Sequence, residues 1–239
     1  MAKSRWNSTV VTNETFNDGT QTERYAAMWS GGKDSCLAIW RARLSGLFVD
    51  TVVTFIDGQT DRVRFHATPS PLIRAQADAL GVRSLLRAAA PETYETVFKN
   101  VLTELRESGY AGVIFGDIHL VNVREWSEQK TRAAGLRHVE PLWAANGPSL
   151  LREFVDAGFG AVVTCCELAK LGPSWLGRII DDSFVEQIVE LEGVDPSGEY
   201  GEYHSFVFGG PLFSRKLDWA PGSSREENGF TQLDLRLRS

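Results

Sequence analysis

The sequence predicts a doubly wound α/β fold, a parallel sheet with helices on both faces, followed by a smaller C-terminal region. Three observations lead there. Uncharged, β-branched runs such as Thr51–Ile56 and Gly160–Cys166 read as strands buried on both faces. Segments of helical periodicity stand between such runs and several end at a glycine. The alternation stops near residue 170, where a loop rich in Gly, Glu and Tyr takes over.

Taken in order, residues 1–23 are polar and without period, which predicts an irregular N-terminal arm. Tyr25–Trp29 is a short apolar strand. Asp34–Ser45 is a helix, with Leu37, Ala38, Ile39, Trp40 and Leu44 at helical spacing and Gly46 as its stop. Thr51–Ile56 is a buried strand. Pro71–Leu80 is a helix with proline near its first position and Gly81 at its end. Arg83–Ala88 reads as a further strand, Thr93–Ser108 as a helix ended by Gly109, and Gly112–Gly116 as a buried strand. Val121–Ala134 is a helix stopped by Gly135, Ser149–Ala157 another, and Gly160–Cys166 the next buried strand. After a helix over Asp182–Leu191 come two strands, His204–Phe208 and Phe230–Leu237. In the second, Leu233, Leu235 and Leu237 alternate with Asp234, Arg236 and Arg238, as on a half-exposed face. The organisation expected is an arm over 1–23, a sheet domain over 24–169 and a substrate-binding region over 170–239.

Composition narrows the function. The 239 residues are 43% hydrophobic and 10% aromatic, enough for a sizeable core. Lys plus Arg number 25 against 31 Asp plus Glu, a net charge of −6. That argues against extensive nucleic-acid binding and leaves room for a local anion site. No uncharged apolar run approaches the roughly 18 residues of a membrane span. Lys3 and Arg5 are not followed by an apolar stretch, so no secretory signal is expected and the cytoplasm is the expected location. Cys36, Cys165 and Cys166 form neither a disulfide framework nor a zinc spacing. Buried packing suits the adjacent pair better than a thiol nucleophile, because no basic partner is near in sequence.

The sharpest motif is Ser30-Gly31-Gly32-Lys33-Asp34-Ser35. It joins the first strand to the first helix, the junction where open parallel sheets bind ligands. Two glycines let the backbone turn tightly and approach a ligand. Ser35 and the free amides of the first helical turn can donate to phosphate oxygens. Lys33 adds positive charge, and Asp34 can hold a magnesium ion. An ordinary capped turn is the plain alternative, and a Walker A spacing is absent.

A second motif spans Gly193–Phe206. Glu199 and Glu202 bracket Gly201, and His204 follows. Such carboxylates can bind an amine, orient a metal or act as a general base. From the residues alone, a solvated acidic loop is an equal reading. Asp117, after the strand Gly112–Gly116, belongs at the carboxyl edge of the sheet or serves as a helix N-cap. His119 and Arg124 could face the cleft or the surface. His66 and His138 read as loop residues without a visible partner. Trp40, Trp126, Trp143 and Trp175 read as core or cleft-wall aromatics.

Ser30–Ser35 resembles the SGGxDS signature of the PP-loop ATP pyrophosphatases, the adenine nucleotide alpha-hydrolase-like group. The segment Gly198–Ser205 is similar to the Gly-Glu-x-Gly-Glu-[Phe/Tyr]-x-[Thr/Ser] motif of the diphthine–ammonia ligase family. Phe206–Phe213 continues the likeness, and Gly116-Asp117-Ile118 with Arg124 and Pro141-Leu142-Trp143 add to it. The resemblance covers roughly residues 24–237. It implies a PP-loop, HUP-like ATP-binding domain over 24–169. It also implies an AMP-forming carboxylate–ammonia ligase that adenylates a carboxylate, releases pyrophosphate and then admits ammonia. In that reading Ser30, Gly31, Gly32, Lys33, Asp34 and Ser35 hold ATP, and Asp34 places Mg2+. Lys33, Asp34 and Asp117 carry catalysis, and Glu199, Gly201, Glu202 and His204 bind the substrate. The acceptor implied is diphthine-modified elongation factor 2, or an unknown small molecule. A non-catalytic ATP sensor is the alternative from another class.

Overall fold

The computed structural model describes residues 22–63, 66 and 68–238. The expected arm lies outside the described residues except for Thr22 and Glu23.

The first sheet holds β1 (Arg24–Met28), β2 (Phe48–Asp57), β3 (Arg62–Val63), β4 (Arg83–Ala88), β5 (Tyr110–Ile114) and β6 (Arg137–Val139). Its five parallel strands lie in the order β4-β2-β1-β5-β6. From β1 the chain winds outward through β2 and β4, then returns to β1's other side as β5. The crevice between β1 and β5 is therefore the topological switch point, where such sheets take ligands beyond the carboxyl ends of the strands. The two-residue β3 runs antiparallel to the end of β2, at Ile56 and Asp57.

Helices α1 (Lys33–Leu44) and α2 (Ser70–Leu80) cover one face, while α3 (Tyr94–Glu107) and α4 (Val121–Ala133) cover the other. Proline at its start and Gly81 in the left-handed region at its end bound α2, as the sequence predicts. The α3 face is a closed apolar layer of Phe98, Val101, Leu102 and Leu105 against Ala26, Val53, Val113 and Phe115.

The second sheet has the order β8-β7-β10-β9, all antiparallel, from β7 (Gly160–Glu167), β8 (Tyr203–Gly209), β9 (Trp219–Glu227) and β10 (Phe230–Leu237). Helices α5 (Gly147–Asp156) and α6 (Asp182–Ile188) flank it. The sheets change between β6 and β7, ahead of residue 169. The run Gly160–Cys166, expected to continue the parallel sheet, instead pairs with β8 and β10. Burial on both faces suppresses polar alternation whichever sheet a strand joins, so the apolar run could not tell them apart. Three further strands have no counterpart in the sequence reading, and β3 spans only two residues. The apolar part of β6 is too short to show a period, and β9 is exposed along most of its length.

One apolar core joins the two sheets. Leu37 and Ile39 of α1, Ile73 of α2, Phe154 of α5, Val162 of β7 and Phe206 of β8 belong to it, all 3% exposed or less. The second sheet is thereby packed onto the helices that carry the glycine loop.

Candidate active site

The glycine loop is held from beneath by a buried side chain that sequence reading passed over. Gln76 of α2 is fully buried. Its Nε2 donates to the carbonyls of Gly31, at 2.9 Å, and Val207, at 2.7 Å, and its Oε1 accepts from Trp29 Nε1 at 3.0 Å. One amide thus locks the loop, α2 and β8 together. The signal available was a glutamine among the apolar positions of α2. Gly31 adopts φ +84°, and a Cβ there would stand 2.8 Å from both Gln76 Oε1 and Ile73 Cδ1. That close approach is what glycine permits.

The other residues of the hexapeptide lie close together. Ser30 and Ser35 hydroxyls lie 3.3 Å apart, Gly32 N donates to Ser30 Oγ, and Ser35 Oγ donates to the carbonyl of Gly32. Lys33 N donates to Ser205 Oγ at 3.1 Å. From β5's side Gly116 presses against the start of α1, its hypothetical Cβ 3.0 Å from Ser35 N.

Lys33 is where structure and expectation part. Its ammonium is buried and donates to Asp34 Oδ2 at 2.9 Å and to the carbonyl of Ser197 at 2.5 Å, over the Tyr203 ring. Burial pulls the ammonium's pKa down, but the charge of Asp34, with Tyr203 and Glu199 behind it, outweighs burial and holds it above the ordinary value. The lysine clamps the acidic loop onto the glycine loop.

A cavity of about 380 Å³ opens over the loop. One half is aromatic, walled by Phe55, Tyr94, Phe98, Phe115 and Trp126. Phe55 and Tyr94 have ring centroids 4.9 Å apart, and Phe98 and Trp126 4.8 Å. Such a slot suits a flat heterocycle. Of these five the sequence singles out only Trp126: Tyr94 and Phe98 carry the same helical period whether they fill a core or line a slot, and Phe55 and Phe115 belong to runs that read as buried strands. The other half is polar: Ser30, Gly32, Lys33, Asp34, Ser35, His66, Asp117, Glu199, His204 and Ser205.

Asp117 and Glu199 face this half from opposite sheets. Desolvation, and then the charge of Glu140, raises the Asp117 carboxyl to about 6. Desolvation raises Glu199 to about 7, against the hydrogen bond from Ile118 N at 2.9 Å. His119 meets Asp195 at 3.3 Å, so the loop after β5 and the acidic loop are joined twice.

Glu202 and Gly201, expected at the substrate, do not line the cavity. Glu202 is 1% exposed, and it accepts from Lys170 Nζ at 3.0 Å, Asp195 N at 3.2 Å and Tyr200 N at 3.1 Å. A carboxylate so occupied organises its own loop. Gly201 has φ +90° and closes a turn onto Gly198 O. Of this loop's glycines, Gly198 lines the cavity.

His138 and Glu140 also have a place that the sequence hid. Both side chains are almost fully buried, 2.9 Å apart, and Arg124 Nε reaches Glu140 at 2.9 Å while lying over Trp143. His138 stacks on Phe115 at 4.3 Å. The three cysteines are buried. Burial pushes Cys165 up to about 11, and burial together with the Cys165 charge pushes Cys166 up to about 12, which fits packing.

A parallel sheet whose first strand runs into a glycine turn and a helix N-terminus, with a base-sized slot at the switch point, defines a PP-loop enzyme that works on ATP. The comparisons particularise the class. Residues 23–138 match the model of the diphthamide synthase N-terminal domain, and residues 146–234 match that of the diphthamide synthase C-terminal domain. Diphthine–ammonia ligase of Homo sapiens is 23% identical over 222 residues, covering 81% of this chain and 82% of that protein. Those of Rattus norvegicus, 26% identical over 81% and 82%, and Danio rerio, 23% over 81% and 85%, are similar. The chain belongs to the diphthamide synthase family and is an ATP-dependent ligase of that type.

Proposed function

We propose that the protein amidates diphthine on elongation factor 2, using ATP and ammonia in the cytoplasm. The observation that carries this reading is the cavity's division: an aromatic slot and glycine loop on the first sheet, closed by a carboxylate loop from the second. The adenine lies in the slot between Phe55 and Trp126, and the phosphates rest on the amides of Gly32–Ser35. This places the α-phosphorus toward Asp117 and Glu199, where the acceptor carboxylate attacks it and pyrophosphate leaves. Ammonia then attacks the acyl-adenylate and AMP leaves. The protein supplies position and charge stabilisation. The quaternary ammonium of diphthine and incoming ammonium are cations, which the acidic half of the cavity attracts.

Magnesium fits the donors present. Asp34, 31% exposed at its side chain, stands at the phosphate loop, and Glu199 feels the charges of both Asp34 and Asp117. Among the described residues no group of three or more His, Cys, Asp or Glu could hold a metal ion alone. An ion there would be completed by phosphate oxygens and water, with Asp34 as its protein ligand. Bound there, magnesium would neutralise the phosphates and stabilise the pyrophosphate as it leaves. No helix among the described residues is long and apolar enough to cross a membrane.

The test is to supply ATP, magnesium, ammonium and diphthine-bearing elongation factor 2. AMP, pyrophosphate and an amidated factor are expected in equal amounts. ADP as the product, or no acceptor-dependent pyrophosphate, would refute the proposal.

A further inference from the structure

The glycine loop holds a polyphosphate with few cations of its own. Its lysine is spent on Asp34 and the Ser197 carbonyl. What stands over the loop instead is a pair of imidazoles. His66, from the segment between β3 and α2, and His204, on β8, lie with ring centroids 4.3 Å apart and planes at 37°. Both line the cavity beside Gly32 and Ser205. His66 Cε1 would stand 3.2 Å from a Cβ at Gly32. His66 Nδ1 is shut off from solvent and has no hydrogen-bond partner. A buried ring nitrogen without a partner is costly, and it invites a ligand group to meet it.

We propose that His66 and His204 are a phosphate-contacting pair, whose ring N–H groups take the β,γ-phosphate end of ATP as it settles on the glycine loop. This inference rests on the ATP reading above and reassigns His204 from the acceptor to the nucleotide. The empty site keeps both rings neutral. Burial, then the neighbouring His204 and the Lys33 ammonium, hold His66 well below its ordinary value, against a backbone hydrogen bond at Ser205 that leaves Nδ1 as its free nitrogen. Burial, then Lys33, lowers His204 to about 4. Among the described residues the charged groups lining the cavity with the pair are Lys33 and Asp34 on α1, Asp117 beyond β5 and Glu199 on the acidic loop. A polyphosphate of several negative charges outweighs Lys33, so one ring takes a proton from solvent on binding. The product is an imidazolium–phosphate hydrogen bond, of the charge-assisted kind.

The experiment is calorimetric titration of the whole chain with magnesium and an ATP analogue bridged by methylene between the α- and β-phosphates. AMP serves as a second ligand. Runs in buffers of different ionisation enthalpy count the protons taken up. The expected result is net proton uptake by the wild type, and affinity that strengthens as pH falls from about 8 to 6. In His66→Asn and His204→Gln proteins, the analogue binds about tenfold or more weakly, as loss of a charge-assisted hydrogen bond predicts, while AMP affinity is unchanged. Melting curves confirm folding, and if one variant fails to fold the other carries the test. Wild-type analogue affinity and proton uptake in the folded variants would overturn the pair, as would equal losses for AMP and the analogue. Intact analogue affinity with lost amidation would assign the pair to the acceptor and also overturn it. A wild-type chain that binds no ATP analogue would instead sink the ATP reading itself.

Discussion

The Lys33 ammonium donates to the carbonyl oxygen of Ser197 at 2.5 Å, joining the helix that opens the phosphate loop to a loop of the second sheet. Its donor is almost completely buried. Several properties of the enzyme turn on it.

Replacing Lys33 removes a structural tie before it removes a phosphate contact. Lys33→Met leaves Asp34 without its cation and the Ser197 carbonyl without its donor. Breaking a buried ion pair costs about 3–5 kcal/mol, and Asp34's partial exposure brings the expectation toward the lower end. Thermal melting should show a clear drop in the absence of nucleotide. An unchanged melting temperature with weakened ATP binding would return Lys33 to the phosphates.

Asp34→Asn tests the magnesium role with little change of shape. The amide oxygen can still accept from Lys33, so the fold should persist. Metal affinity should not: the magnesium concentration for half-maximal pyrophosphate release should rise about 10–100-fold, in the range that altered metal-site residues show. A titration of rate against magnesium gives the answer, and an unshifted curve removes Asp34 from the metal.

Glu199 and Glu202 should separate cleanly. Glu202→Ala leaves Lys170 and two backbone N–H groups without their acceptor. It should cost about 2–4 kcal/mol of stability. Glu199→Gln should keep the fold and ATP affinity while amidation collapses. Denaturant melts and single-turnover amidation of both proteins make the comparison. A stable, inactive Glu202→Ala protein would restore that residue to the acceptor.

The site carboxyls should cost stability in a defined pH window. Asp117 and Glu199 hold their protons up to about 6 and about 7, above their ordinary values, chiefly because burial disfavours the charged form. Between about pH 4 and 7 the folded state binds more protons than the unfolded one, so these groups lose stability as pH rises. His204, lowered to about 4 by burial, does the opposite between about 4 and 6.5. Glu199→Gln should therefore melt higher than wild type near pH 8, by roughly 2–4 °C if about 1 kcal/mol returns. The gain should vanish near pH 4. Melts without nucleotide or magnesium test this, and a gain that grows toward acid would reverse the assignment.

Much of the fold was legible because glycine and proline punctuate it. Pro71 and Gly81 bound α2 to within a residue, and Gly109 and Gly135 follow α3 and α4 closely. The hexapeptide was legible because its glycines, serines and acid have few other reasons to stand together after a strand. Gln76, His138 and Glu140 were not. Gln76 acts through partners dozens of positions away, and the His138–Glu140 pair is set by burial beside Phe115, which no local spacing shows.

By itself the sequence determined the βα alternation, the glycine loop at its first junction and the position of the acidic loop along the chain. These follow from local physics: side-chain period, backbone freedom at glycine and the free amides of a helix start. Only the tertiary structure decided which carboxylate of the acidic loop faces the cavity and which is mortar. Glu199 and Glu202 stand three positions apart in the same motif, one facing the cavity and the other saturated by Lys170 and two amides. The same structure tied Lys33 to Asp34 and the Ser197 carbonyl and brought His66 onto His204. The pairing of a charged group is settled by what the fold packs around it, and burial makes that choice costly to reverse.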